Sequence, residues 1–239
     1  MRWIYISPHF DDAILSCGGL IWEQTHQGIA VEIWTVCAGD PPPGPLSPLA
    51  LDCHRKWGIG TAEEMVALRR VEDRHACQAV HAAWRHFTIP DCIYRRSPQG
   101  DPLYPETLSA PLHPLEADLD REIAGALRRE IGANDRLVCP LAIGGHVDHV
   151  LTRRAVERLG RPLGYFADIP YLLNHPESLA EARAGLRLRV QAISKDGLQA
   201  WQAASAAYAS QIGVQFGSWG KMRAALRQYC QSQAGVGLW

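Results

Sequence analysis

RWIYISPHFDDAILSCGGLIWEQTHQGIAVEIWTVCA, residues 2–38, decides the architecture. Residues 2–6 are a short run of aromatic and β-branched side chains, the composition of a strand. Residues 13–27 repeat apolar side chains at helical spacing and end near Gly28, a residue suited to stop a helix. Residues 30–38 return to strand composition. A strand, a helix and a strand joined this tightly form a parallel pair with a right-handed crossover. Between the first strand and the helix stands SPHFDD, residues 7–12, where His9, Asp11 and Asp12 crowd together. Like charges this close repel and resist desolvation, so the cluster needs a compensating partner.

The alternation continues beyond this unit. Residues 39–48, GDPPPGPLSP, hold five prolines and two glycines and predict an extended loop over the strand ends. A helix over 61–83 opens with the capping box Thr61-Ala-Glu-Glu64. HFTI (86–89) reads as a strand, 90–113 as a proline-punctuated loop and 114–131 as a helix. RLVCPLAI (136–143) is a strand, followed by GGHVDH (144–149) and a helical run to Gly160. GYFADI (164–169) is a further strand, GLRLRVQAI (185–193) alternates like a two-faced one, and helices follow over 195–210 and 218–232. The pattern predicts an α/β fold: a doubly wound, mostly parallel, Rossmann-like sheet with helices on both faces. Residues 1–239 are expected to form one domain with the helices of 195–232 packed on it, and loops 39–60 and 90–113 to set specificity.

Composition narrows the function. With 24 basic against 25 acidic residues there is no basic field for nucleic acid or an anionic membrane. The N-terminus carries no long apolar segment before acidic residues begin, and seven cysteines without a CxxC pair suit reduced thiols, so a cytoplasmic location is expected. SCGGL (16–20) lacks the GxGxxG arrangement of a dinucleotide site, and neither HExxH nor GxSxG occurs.

Each polar cluster has an ordinary reading by itself. Asp11 or Asp12 would serve as a helix cap with His9 at the surface; His146 and Asp148 would be loop residues or Asp148 a cap. Together they say more, because both follow strands at the sheet edge where α/β proteins carry their sites. His9 and Asp12 are three positions apart, as are His146 and His149, a spacing that lets members of a pair converge where a turn tightens into a helix. Two histidines and a carboxylate with one position open is a frequent catalytic zinc arrangement, which iron(II) or cobalt also suits.

PHxDD after the first strand and HxDH after a later one resemble the LmbE-like (PIG-L) family of zinc-dependent N-deacetylases, over roughly residues 3–170. The resemblance implies that His9, Asp12 and His149 bind zinc, that Asp11 is the general base, and that His146 is a general acid and oxyanion stabiliser, with Asp148 behind it orienting a histidine or capping the helix. It implies an N-acetylated amino sugar or small glycoconjugate as the small-molecule partner. The alternatives are another N-acyl small molecule, such as an antibiotic or thiol precursor, or a sugar- or nucleotide-binding module without activity. The sequence departs from the family at Ala13, where glutamate is common, and lacks a tyrosine just before HxDH; Tyr165 or Tyr171 would have to approach instead. Arg69 and Glu72 match the family's RxxE helix, with Arg69 a candidate for a sugar hydroxyl or phosphate and an exposed i,i+3 ion pair as the competing reading. Trp57 is the tryptophan to watch for sugar stacking. Whether the C-terminal helices close a pocket or build a contact between copies is left open.

Overall fold

A computed structural model describes residues 1–58 and 60–239. In chain order the elements are β1 (Trp3–Ser7), α1 (Asp12–His26), β2 (Val31–Thr35), α2 (Pro48–Trp57), α3 (Ala62–Ala79), β3 (Ala83–His86), α4 (Leu119–Glu130), β4 (Arg136–Pro140) and α5 (Val147–Glu157). They continue with β5 (Leu163–Phe166), α6 (Tyr171–Asn174), α7 (Leu179–Ala182), β6 (Arg189–Gln191), α8 (Lys195–Ala206), α9 (Ala209–Phe216), α10 (Trp219–Gln233) and β7 (Val236–Leu238).

The sheet runs β3-β2-β1-β4-β5-β7-β6. The first five strands are parallel; β7 is antiparallel to β5 and to β6. β1 therefore lies between β2 and β4, and the chain's winding direction reverses there. The connections leaving β1 and β4 part at that point and open a crevice at the carboxyl ends of the strands. Ile4, Tyr5 and Ile6 of β1 and Ile33 and Trp34 of β2 are fully buried, because helices cover both faces; strands in that position read as continuous apolar runs.

The glycines of SCGGL serve helix packing. A Cβ at Gly18 would lie 2.5 Å from Trp201 Cδ1, so only glycine lets α8 settle onto α1. The fully buried Trp201 then donates its indole N–H to Ile14 O at 2.7 Å. The capping box of α3 is present, with both Thr61 and Glu64 engaged.

Several expectations need correction. Residues 48–57 are helical within the stretch read as loop: Ser47 accepts from Ala50 N–H, Pro48 occupies the first turn where its missing N–H costs nothing, and Gly58 ends α2 at φ 76°. The third strand is Ala83–His86 instead of 86–89. From 185–193 only Arg189–Gln191 is extended, an exposed edge strand against β7, and β7 and α9 were not foreseen. Trp84 and Trp219 are 40% and 54% exposed, whereas Trp34 and Trp201 are fully buried. Among the described residues the seven cysteines are free thiols, and no helix is long and apolar enough to cross a membrane.

Candidate functional site

The turn leaving β1 is built so that its aspartates are free of capping duty. Ser7 Oγ accepts from Ala13 N–H at 3.0 Å and donates to His9 O at 2.6 Å, closing the first turn of α1. Asp11 stands at the cap position without a side-chain cap bond. Tyr208 O–H reaches Phe10 O at 2.8 Å and holds the turn from α9's side. Asp12 Oδ2 accepts from His9 N–H at 2.8 Å and lies 3.2 Å from His9 Nδ1.

The turn leaving β4 passes through left-handed backbone at Ala142, Gly144 and Gly145. Its cap is His146, whose Nδ1 accepts from Asp148 N–H at 3.1 Å, so Asp148 is not the capping residue. A neutral His146 with Nδ1 accepting carries its proton on Nε2. Asp148, fully buried, accepts instead from Arg95 Nη1 at 2.5 Å and Cys92 N–H at 2.9 Å, and lies 3.0 Å from His9 Nε2.

These two distant turns meet. One ligand atom each of His9, Asp12 and His149 lie within 4.8 Å of one another, all three residues buried, and the same holds for His9, His146 and Asp148. Asp168, two residues past β5, contacts His149 Nδ1 at 2.5 Å, and its other oxygen accepts from Ile143 N–H at 3.0 Å. With Nδ1 committed to Asp168, His149 turns Nε2 toward Asp12 Oδ2, 3.3 Å away. That Nε2 is buried and has no hydrogen-bond partner among the described residues. A lone pair facing a carboxylate oxygen is repulsive unless a proton or a cation joins them.

The electrostatics ask for that positive charge. Burial opposes charging His9, but Asp91, Asp12 and Asp148 override it and hold its pKa well above the ordinary imidazole value. His149 is raised too: burial is outweighed by Asp12 and Asp168. Asp12, though buried, is pulled well below the usual carboxylate range by His149 and His9. His146 goes the other way: burial, with His9 and His149 beside it, keeps it well below the usual value and therefore neutral. Buried nitrogen and oxygen donors that favour a positive charge at one point fit a divalent zinc-like ion held by His9, Asp12 and His149.

Asp11, 2% exposed, is held on both oxygens: Arg69 Nη2 donates to Oδ1 at 3.0 Å and Gln215 Nε2 to Oδ2 at 2.7 Å. Arg69 also lies 3.7 Å from Asp91 Oδ2, with its guanidinium 5.5 Å from the Phe10 ring and 5.6 Å from the Trp57 ring. The expected exposed pair with Glu72 is not formed: both residues are buried, and Glu72 accepts from Ser210 N–H at 2.8 Å and its hydroxyl at 2.7 Å. Arg69 thus lies beside Trp57, the tryptophan expected to stack on a sugar. Tyr171 comes to the site, its ring 5.1 Å from that of His149, whereas Tyr165 turns away to Glu157.

Four residues around the site were missed. Asp168 had a readable signal, a carboxylate ending the apolar strand GYFADI at the same sheet edge. Asp91 and Arg95 lie in an aperiodic loop, and Gln215 in a helix without a motif; nothing local marks them.

Comparison with known proteins agrees with this geometry. Residues 4–159 match the model of the family PIG-L, described as GlcNAc-PI de-N-acetylase. The chain is 30% identical over 207 residues to 2'-N-acetylparomamine deacetylase of Niallia circulans, covering 78% of this chain and 73% of that protein. It is 27% identical over 186 residues to 2'-N-acetylparomamine deacetylase of Streptomyces fradiae, covering 71% and 57%. The crystal structure of the zinc-inhibited form of a teicoplanin deacetylase superposes with TM-score 0.83 at 29% identity, over 100% of this chain and 96% of that one. A doubly wound sheet, two histidine–aspartate turns meeting at its switch point and a family match over most of the chain lead to one conclusion: this protein belongs to the PIG-L (LmbE-like) family of deacetylases.

Proposed function

We propose that this protein is a metal-dependent N-deacetylase that hydrolyses the acetamide of an amino sugar or small glycoconjugate. The observation that carries the reading is the convergence of His9, Asp12 and His149, with His146 and Asp11 from the same two turns. Relatives named for 2'-N-acetylparomamine and teicoplanin support the substrate class.

Bound at His9, Asp12 and His149, a zinc ion would polarise the acyl carbonyl and lower the pKa of a water from ~15.7 toward ~7. The chain's own residues do the rest. Asp11 takes a proton from the attacking water, and the new C–O bond forms as the carbonyl π electrons move onto oxygen. His146 donates its Nε2–H to that oxygen as the charge develops, a neutral donor buried beside the candidate ligands. Asp11 then hands its proton to the nitrogen, the C–N bond breaks, and amine and acetic acid leave. Arg69 and Gln215 aim Asp11; Asp148, anchored by Arg95, orients His9, and Asp168 orients His149. Residues beyond the family match belong to this unit, because Tyr208 and Gln215 reach the first turn.

The test is elemental analysis of the purified protein, then amine release from N-acetylglucosamine and 2'-N-acetylparomamine with and without prior chelation. Stoichiometric zinc and turnover abolished by chelation and restored by zinc are expected. Bound metal without turnover of any acetylated amine would refute the enzyme reading.

A further inference from the structure

Gln215 is the one group on Asp11 that comes from α9, and its geometry leaves something over. Its Nε2 donates to Asp11 Oδ2 at 2.7 Å, which fixes the orientation of the carboxamide: the reverse would set oxygen against oxygen at that distance. The other end, Oε1, is buried and accepts no hydrogen bond among the described residues. A buried acceptor without a donor is a standing cost. The residue as a whole is half-buried whereas Asp11 is 2% exposed, so Gln215 is the more accessible member of the pair.

We infer that Gln215 is a substrate-binding residue whose Oε1 accepts the N–H of the amide being cleaved, so that substrates are amides bearing a hydrogen on that nitrogen. This rests on the deacetylase reading above, in which Asp11 delivers a proton to the same nitrogen. A group bonded to the carboxylate that protonates the nitrogen is placed to meet that nitrogen's own hydrogen. The interaction favours the reaction over mere binding. In the planar amide the N–H is a neutral donor; once the carbonyl is attacked, the nitrogen becomes basic, takes the proton from Asp11, and its N–H is a charged donor, which bonds more strongly. Gln215 then touches the developing ammonium with an oxygen while Asp11 recovers its charge. An ester in the same place offers a lone pair where the N–H would be, and a tertiary amide offers a carbon.

The experiment compares amide with ester. Wild type, Gln215→Met and Gln215→Glu are assayed on N-acetylglucosamine and 2'-N-acetylparomamine and on the corresponding 2-O-acetyl sugars, with metal content and Tm recorded for each. Methionine removes both ends of the carboxamide, so the amide-to-ester ratio of kcat/KM should fall about tenfold or more. Glutamate keeps an acceptor but sets an oxygen against Asp11; both rates should drop while the ratio stays near that of wild type. Equal losses on amide and ester in Gln215→Met, with metal and Tm unchanged, would mean that Gln215 serves only Asp11 or a water, and would overturn the inference. No loss on either substrate would overturn it as well. If wild type turns over no acetylated amine, the deacetylase reading itself fails; if it does and the ratio does not move, only the role of Gln215 fails.

Discussion

Asp168→Asn tests the centre at its least obvious point. The carboxylate is fully buried and serves two neighbours at once, His149 Nδ1 on one oxygen at 2.5 Å and Ile143 N–H on the other at 3.0 Å. Asparagine has the same shape but one acceptor. If its oxygen stays on His149, the amide N–H₂ faces Ile143 N–H, and a buried donor goes unpaired at about 1–3 kcal/mol. If its oxygen turns to Ile143, the N–H₂ faces His149 Nδ1 and the imidazole must carry its proton on Nε2, the atom that faces Asp12. A protonated Nε2 cannot bind a metal ion. Either route also removes the negative charge that strengthens His149 as a donor, an effect worth about 10–100-fold in metal affinity at comparable sites. The variant should therefore bind zinc about 10–100-fold more weakly in a chelator-competition titration. Its Tm should be lower by roughly 2–12 °C, at about 2–4 °C per kcal/mol for a chain of this size. Zinc affinity equal to that of wild type would refute the assignment of His149 Nε2 as the ligand atom.

Asp11→Asn should keep its metal by elemental analysis and lose about 10²–10⁴ in kcat, whereas His149→Ala should lose the metal itself. Gly18→Ala should lower Tm despite alanine's better helix propensity of about 1 kcal/mol, because the Trp201 ring atom 2.5 Å from the new Cβ is fully buried and cannot give way; overpacking of this kind costs about 1–3 kcal/mol. Metal content should be unchanged, and a raised Tm would refute the packing argument. Tyr208→Phe removes the hydroxyl shared by Phe10 O and Asp73 Oδ1, each 2.8 Å away, so both stability and zinc affinity should fall, read by thermal denaturation and chelator competition.

The parallel core of the sheet and the two turns that bring polar clusters to its edge are legible in the amino-acid order alone. Buried parallel strands need continuous apolar runs, and RWIYI, AVEIWTVCA and RLVCPLAI are such runs, although β2 and β4 end at Thr35 and Pro140, three residues short of the last two runs. The polar clusters that follow the first and last of these runs were visible because costly side chains stand out against an apolar background. Which atoms face one another is set by packing between elements. That Ser7 caps α1 and frees Asp11 and Asp12, that His146 caps α5 in place of Asp148, and that Asp168 fixes the tautomer of His149 all depend on side-chain directions set by packing. Arg69 illustrates the limit: its spacing from Glu72 suits an exposed ion pair, yet α8 packs on α3 and Ser210 at the start of α9 meets Glu72, so each residue finds a partner far along the chain. Gln215 lies 204 positions from Asp11. Local periodicity encodes which face of an element is buried; it carries no record of what that face meets, because the meeting is fixed by the sum of all the packing contacts between elements.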